Sequence, residues 1–252
     1  MYLSILKKAV PIPKLTNFDR FLFVGPHPDD IEVSCGGTVA RLTSLGKTVT
    51  FAIVTDGSVG SIDNSLSSDE IVKIRKNESL DSAKLLGVQD VRFLNYVDGG
   101  DYTVDSVSKN LTEIILEVKP QAVFCPDYTV RSECHPDHLK AGQAATKAVF
   151  YSSWDKLTER FNLQGSVKDI VIAYYYTSNP NAYVSVTKTS KTHIEAISVH
   201  KSQFAENDIR SFKLYFNMRE RRFGTRCGKL RAEGFRVLAS THQHCFPEAD
   251  EF

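Results

Sequence analysis

The sequence predicts an α/β fold with a doubly wound, mostly parallel central sheet, and two observations support that prediction. Short apolar runs of strand type alternate with segments whose apolar residues recur at helical spacing, from Phe21 to about Tyr151. This alternation is typical of a parallel sheet with helices on both faces and right-handed crossovers. In addition, 42% of the 252 residues are hydrophobic, so the chain can build one large core.

Each element in the first 155 residues has its own local signal. Strands are predicted where apolar or β-branched runs end at turn residues, at 21–25, 48–54, 91–96 and 122–125. Helices are predicted where apolar residues are periodic, at 36–46, 67–87, 107–119 and from 135 to near 151. The second of these helices begins with the capping-box spacing of Ser67 and Glu70. Residues 59–66 are small and polar, which indicates a loop.

Beyond Asp155 the pattern is less regular. It predicts strands at 170–177 and 183–186, and helices at 194–204 and 209–223. Residues 1–20 are interpreted as a lead-in to the first strand. No repeat or low-complexity linker interrupts the chain, so a single domain over residues 1–252 is expected, in which residues 155–252 complete the pocket.

Composition indicates which kinds of binding partner and which cellular location to expect. The 31 Lys and Arg residues nearly balance the 30 Asp and Glu residues, which argues against a nucleic-acid binder. The five cysteines are scattered and form no Cys-x-x-Cys pair, so a reducing cytoplasm is the expected location. No apolar run approaches the roughly 18 residues that a membrane span needs. Composition therefore favours neither a nucleic-acid partner nor a membrane partner.

Two tetrads of matching type carry the candidate chemistry. His27-Pro28-Asp29-Asp30 follows the first strand-like run, and His135-Pro136-Asp137-His138 follows the fourth. In a parallel sheet, loops at the carboxyl ends of strands form ligand sites, so these two loops can meet. The imidazoles of His27 and His138 with the carboxylate of Asp30 suffice to hold a zinc ion and leave a position for water. The sequence thus predicts a metal-dependent hydrolase.

The remaining tetrad residues suggest complementary roles. Adjacent carboxylates cannot point the same way, so if Asp30 binds the ion, Asp29 is left beside the bound water as a general base. The alternative is that one of them caps the following helix. His135 lies three residues before His138, near the same face of a first helical turn, so one can ligate while the other donates a hydrogen bond. Asp137 is placed to orient an imidazole. Here the alternative is an ordinary helical turn with exposed histidines.

Shorter motifs accompany the tetrads. They are Gly36-Gly37-Thr38, Thr55-x-Gly57, Arg75-x-x-Glu78, Leu86-Gly87-Val88, Lys119-Pro120, Ala196-Ile197-x-x-His200-Lys201-Ser202-Gln203 and Ala232-Glu233-Gly234-Phe235. Together with the tetrads they resemble the PIG-L/LmbE-like zinc N-deacetylases, and most closely the bacterial branch that includes bacillithiol-pathway enzymes. The likeness extends from about Phe21 to Phe235, although the loop before His135 looks longer and more charged than in the common pattern.

The resemblance implies a Rossmann-like three-layer sandwich that removes the acetyl group from an N-acetylglucosamine-containing small molecule. Its implied metal ligands are His27, Asp30 and His138, with zinc as the metal and Fe²⁺ as an alternative in the cell. Its implied catalytic residues are Asp29 as base and proton shuttle, and His135, which in its protonated form would stabilise the oxyanion or help as an acid. Asp137, placed to orient an imidazole, is added to the candidate catalytic residues. Arg75 is implied to contact substrate; alternatively, it pairs with Glu78 on its own helix.

Two other functions are weighed against deacetylation. One is a non-catalytic sugar- or ligand-binding protein on the same scaffold, which would have no use for a free base beside a metal. The other is a metallophosphoesterase, which usually needs two metals and more carboxylates than the tetrads provide. A basic cluster at 219–231 is interpreted as a solvated helix face or an interface, in preference to a phosphate site. If it is an interface, the protein forms a homo-oligomer.

Several further residues are interpreted as structural. His193 is expected to cap a helix, and His200 to approach the pocket or to make a structural hydrogen bond. His242, His244 and Cys245 are expected to form a surface cluster. The run Tyr174–Tyr176 is interpreted as a strand with one buried face in preference to a sugar platform.

Overall fold

Seven strands form the central sheet in the computed structural model, which describes residues 2–252. In chain order they are β1 (Arg20–Gly25), β2 (Thr48–Thr55), β3 (Asp90–Tyr96), β4 (Ala122–Pro126), β5 (Val171–Tyr175), β6 (Ala182–Ser185) and β7 (Ala232–Leu238). Their order across the sheet is β3-β2-β1-β4-β5-β7-β6. Strands β1 to β5 are parallel, while β7 runs antiparallel to both β5 and β6. The predicted mostly parallel sheet is confirmed.

Helices cover the sheet. They are α1 (Tyr2–Ala9), α2 (Asp30–Ser44), α3 (Ser68–Leu85), α4 (Val104–Val118), α5 (Pro136–Ser152), α6 (Asp155–Thr158), α7 (Ser190–Ile197) and α8 (Glu206–Cys227). The predicted capping box of α3 is present, with Ser67 and Glu70 each accepting a hydrogen bond from the other's backbone N–H. Among the helices of residues 2–252, none combines the length and apolar character that crossing a bilayer requires.

Alternating side chains of the central strands build a separate core on each face of the sheet. Phe21 and Phe23 of β1 face the core shared with α2 and α7, where Phe23 stacks on Phe124 at a centroid distance of 4.2 Å. Leu22 and Val24 face the opposite core, shared with α4 and α5. Burying each such side chain stabilises the fold by about 1.5–3 kcal/mol. The result is the predicted three-layer sandwich.

Helix α2 begins earlier than its glycine pair suggests. It starts at Asp30, directly after the first tetrad, and is interrupted at Cys35, whose backbone is not helical. Beyond the interruption, the N–H groups of Gly37 and Thr38 donate to the carboxylate of Glu233 at 3.0 and 2.8 Å. A Cβ at Gly37 would lie 2.6 Å from a Glu233 oxygen, so only glycine permits this approach. The glycines therefore mark a capped interruption and not the helix start.

The C-terminal third differs most from prediction. The expected helix at 194–204 is wrong in extent, because α7 spans Ser190–Ile197 and turns follow it, whereas α8 extends beyond 209–223 at both ends. Strand β7 was not predicted, although it is buried along almost its whole length. Its run contains Glu233, Gly234 and Arg236, which break the alternation by which a strand is normally detected.

Replacing Glu233 by Ala is expected to lower the free energy of unfolding by about 2 kcal/mol or more, because two buried N–H groups lose their acceptor. The buried His193 would also lose a carboxylate that lies 3.4 Å from its Nδ1 atom. Urea denaturation measures the change. The matched control is Glu195→Ala, which removes an exposed carboxylate paired with Lys191 and should change stability by less than about 0.5 kcal/mol. Equal stability of both variants would contradict this capping role.

Candidate active site

The two tetrads lie side by side at one edge of the sheet. Strands β1 and β4 are neighbours, paired in parallel with Phe23 opposite Phe124, so the loops that follow them open in the same direction. The first loop passes into α2, and the second leads to His135, which occupies the N-cap of α5. This is the edge at which ligands bind in open parallel sheets.

The three predicted metal ligands meet between these loops. His27, Asp30 and His138 each offer one ligand atom, and these atoms lie within 4.8 Å of one another. Oδ2 of Asp30 is 3.1 Å from Nδ1 of His27 and 3.4 Å from Nε2 of His138. Two imidazoles and a carboxylate form a nitrogen and oxygen donor set that suits zinc and similar divalent cations.

The second ring nitrogen of each histidine faces a carboxylate. Nε2 of His27 lies 3.2 Å from both Asp137 and Asp98, and Nδ1 of His138 lies 3.0 Å from Glu133. Carboxylates in this position fix the tautomer and orientation of a ligating imidazole. The residues present therefore fit a bound divalent metal.

Asp98 and Glu133 were not singled out from the sequence. Asp98 belongs to the turn that follows β3, so its place at a strand's carboxyl end was a usable signal. Glu133 lies in the segment between β4 and α5 that departs from the common family pattern, and no local pattern pointed to it.

Asp137 is fully buried, and both of its carboxylate oxygens have hydrogen-bond partners. It accepts hydrogen bonds from the hydroxyl of Tyr102 at 2.7 Å and from the N–H of Gly99 at 2.8 Å, in addition to its contact with His27. Burial raises its pKa, but the hydrogen bonds, led by that of His27, outweigh burial and hold the pKa below its usual range. With no exposed surface, Asp137 orients His27 and cannot contact substrate directly.

Asp29 and Asp30 point apart, as the sequence required. Asp29 has a φ of 141°, a backbone conformation that costs of order 1–3 kcal/mol and persists only when its surroundings enforce it. Although Asp29 occupies the N-cap of α2, its side chain makes no capping hydrogen bond. Burial raises its pKa to about 7, against the opposing effect of the Arg75 guanidinium. A carboxyl group near that value is matched to general base catalysis at neutral pH.

Arg75 holds Asp29 in place. Its Nη2 atom donates to Oδ2 of Asp29 at 3.1 Å and to the carbonyl of Pro28 at 2.9 Å, and its Nη1 atom donates to the carbonyl of Gly57 at 3.0 Å. The alternative pairing with Glu78 is wrong, since that carboxylate accepts hydrogen bonds from Ser202 instead. Arg75 also lines the cavity, and its contact with substrate stays a prediction.

His135 lies between the histidines and solvent. Its ring is 4.6 Å from that of His27 and 4.9 Å from that of His138, and its Nδ1 accepts a hydrogen bond from the N–H of Asp137. This assignment leaves the ring proton on Nε2, which is free to donate. Burial, reinforced by the two neighbouring imidazoles, lowers the pKa of His135. The ring can therefore donate through Nε2, and the expectation that it is protonated stays a prediction.

A cavity of about 320 Å³ opens over these groups. Tyr176 forms part of its wall, with its ring parallel to that of His138 at a centroid distance of 5.9 Å and its hydroxyl 3.5 Å from Oδ1 of Asp30. The predicted strand extended to residue 177, but β5 ends at Tyr175. Tyr176, the next residue, therefore lies outside the strand and lines the cavity. Gln203, Phe204 and Phe212 complete the opposite wall.

The other histidines lie outside this cavity. His193 does not cap a helix, because it is buried within α7 with Nδ1 3.1 Å from Glu220. His200 is buried with Nε2 3.4 Å from Glu32. His242 is buried and not part of a surface cluster, since its ring links the backbones of Ala239 and Val10.

Fold and site together define an α/β enzyme of the hydrolase type. Residues 22–149, which hold both tetrads, match the family model described as PIG-L, GlcNAc-PI de-N-acetylase. The chain belongs to this family.

Individual relatives extend the match beyond the family model. The chain is 30% identical over 232 residues to diacetylchitobiose deacetylase of Thermococcus kodakarensis, a match covering 91% of this chain and 87% of that protein. It is 37% identical over 135 residues to a probable N-acetyl-α-D-glucosaminyl L-malate deacetylase of Bacillus cereus, covering 51% and 60%. The solved structure of N,N'-diacetylchitobiose deacetylase from Pyrococcus horikoshii superposes with a TM-score of 0.90 at 31% identity, over 100% of this chain and 96% of that one.

Replacing Arg75 by Met is expected to reduce the rate of amide hydrolysis at least about tenfold, because Asp29 loses the group that fixes its orientation. Metal content, measured by elemental analysis, should not change, since Arg75 makes no hydrogen bond to His27, Asp30 or His138. The control is Lys73→Met, which removes an exposed cation from the same helix. A variant with the parent rate would show that Asp29 needs no such anchor.

Proposed function

We propose that this protein is a metal-dependent deacetylase that hydrolyses the N-acetyl group of an N-acetylglucosamine-containing small molecule, releasing acetate and a free amine. Its family and the named activities of its relatives support this function. The observation that carries the proposal is the convergence of His27, Asp30 and His138 within 4.8 Å, with the unligated carboxylate of Asp29 alongside.

We assign the metal to His27, Asp30 and His138. An overlapping group that joins His27 to Asp98, His135 and Asp137 is equally compact. It is the weaker candidate, because the Asp137 oxygens already accept hydrogen bonds from Tyr102 and Gly99. A divalent cation bound there, Zn²⁺ or Fe²⁺ in the cell, would polarise a carbonyl group, and zinc would lower the pKa of a bound water from about 15.7 to about 7.

Asp29 supplies the proton transfers. Arg75 binds only its Oδ2 atom, so Oδ1 is free to accept the proton of the attacking water. The amide nitrogen leaves poorly unless it is protonated, and the carboxylic acid formed at Asp29 can return that proton to it. The raised pKa of Asp29 suits a group that must both accept and release a proton near pH 7.

His135 stabilises the charge that develops on the carbonyl oxygen. Its Nε2–H group is free because Nδ1 accepts the N–H of Asp137, and the start of α5 fixes the ring. A preorganised donor of this kind is typically worth about 3–4 kcal/mol in the activation barrier. Asp137 acts through His27 and is a positioning residue in this scheme.

The two alternative functions are less well supported. A pure binding protein would not need the buried carboxylate of Asp29 or its strained backbone, and the family does not favour a phosphoesterase.

We further propose a cytoplasmic location, supported by the scattered cysteines, and a single domain over residues 1–252. A homo-oligomer is left open.

The direct test combines metal analysis with acetate release from a panel of N-acetylglucosamine conjugates. We expect one zinc per chain and release of acetate that stops when a chelator removes the metal and returns when zinc is added. Metal binding without acetate release would favour the binding protein. Release of phosphate from phosphorylated conjugates would favour the phosphoesterase.

Replacing Asp29 by Ala should lower turnover by roughly 10²–10⁴-fold, the usual contribution of a general base, while metal content is retained. Acetate release and elemental analysis measure the two quantities on the same preparation. Asp101→Ala serves as the control, because it removes an exposed carboxylate from a turn near the site. If the Asp29 variant hydrolysed acetylated glucosamine at the parent rate, the assignment of the base would be wrong.

A further inference from the structure

A second groove adjoins the catalytic cavity. Its volume is about 750 Å³, and it shares Val33, Tyr176 and Phe212 with the cavity. Tyr176, whose ring lies parallel to that of His138, therefore forms part of the wall of both the groove and the catalytic cavity. The catalytic cavity, at about 320 Å³, is near the lower limit for small-molecule sites. A substrate larger than one sugar ring would therefore extend into the groove.

The ionisable side chains that line the groove, apart from tyrosine, are all arginines. Arg219, Arg222 and Arg226 recur at spacings of three and four on α8, so they share one face of the helix. No Asp or Glu lines the groove. Over residues 2–252, the arginines that form ion pairs are others, at positions 75, 92, 231 and 236. The groove thus presents three guanidinium groups without a carboxylate partner in the described chain.

Aromatic residues contact two of these three arginines. The Arg219 guanidinium lies 6.0 Å from the ring of Tyr215 and 5.5 Å from that of Phe223, which restrains it by cation–π contact. Arg226 donates to the hydroxyl of Tyr183 at 3.2 Å. Arg222, between them along the helix, is exposed at the groove. A planar guanidinium that is already oriented loses less entropy when it binds a carboxylate or phosphate bidentately.

We propose that this arginine groove, defined by Arg219, Arg222 and Arg226, binds a carboxylate or phosphate on the aglycone of the sugar substrate. The proposal rests on the proposed function, because it places the acetamide of the same molecule beside Asp29. The substrate class becomes an N-acetylglucosaminyl conjugate with an anionic group beyond the sugar ring. A neutral disaccharide would leave the arginines without a partner.

The test compares three probes: diacetylchitobiose, which is neutral, N-acetylglucosaminyl malate, which carries carboxylates, and N-acetylglucosamine 1-phosphate. We expect the parent protein to show a kcat/KM at least tenfold higher for one anionic probe than for the neutral one. The double variant Arg219→Gln/Arg222→Gln should lose at least tenfold more on that probe than on the neutral one, mainly through KM. The better anionic probe distinguishes carboxylate from phosphate.

Arg221→Gln is the matched control. Arg221 lies on the same helix but lines a different cavity, so its replacement removes one positive charge from α8, against two in the double variant, without touching the groove. Raising the salt concentration should weaken the anionic preference of the parent and have little effect on the double variant. Equal losses on all three probes, or the same loss in the Arg221 variant, would overturn the proposal.

Two further readouts separate this inference from the proposed function. If no probe is hydrolysed, the proposed function fails, while calorimetric titration with L-malate and with inorganic phosphate still tests the groove. Binding by the parent that weakens at least tenfold in the double variant supports the groove, and absence of such a difference overturns it. A changed oligomeric mass in the double variant, with no effect of probe charge, would instead assign the arginines to an interface between copies.

Discussion

The site depends on the backbone at Asp29, where two consecutive carboxylates are forced in opposite directions. With a φ of 141°, this residue turns its own side chain toward Arg75 and sends that of Asp30 toward the two histidines. Arg75 maintains the turn through three hydrogen bonds, two of them to backbone carbonyls. Strain of this kind survives only where the surroundings enforce it. In the proposed mechanism, this turn separates the carboxylate that binds the metal from the carboxylate that transfers protons.

Asp29 and Asp30 also differ in their pKa values. Burial raises the pKa of both aspartates, but His138 and His27 more than offset the effect at Asp30, whose pKa is lowered, whereas the pKa of Asp29 is raised to about 7. Neighbouring titratable groups whose pKa values are driven apart are typical of acid–base sites. Asp137 has a different role from these two aspartates, because its carboxylate contacts and orients His27. Asp137 is thus the carboxylate of the cluster that is fully buried, whereas Asp29 and Asp30 both line the cavity.

The sequence predicted the strands of the parallel half and the convergence of the tetrads, since both follow from local apolar runs and from where parallel strands end. It could not predict that Arg75 would be committed to Asp29, because that contact depends on how α3 packs beside the first tetrad. Glu233 was quoted only as part of a motif, and its capping of α2 crosses 195 residues or more of chain. Asp98 and Tyr176 follow the ends of β3 and β5, and the arrangement of these strands in the sheet is what brings both residues to the cavity.

The proposed mechanism requires that one divalent cation binds where the first and second tetrads meet. A crystal of the zinc-loaded protein, with anomalous diffraction recorded at the zinc absorption edge, tests it most directly. We expect a single strong anomalous peak within bonding distance of His27, Asp30 and His138. A peak at the buried group of His193, Glu220 and Glu233, which is also compact enough to hold an ion, with none between the tetrads, would contradict it.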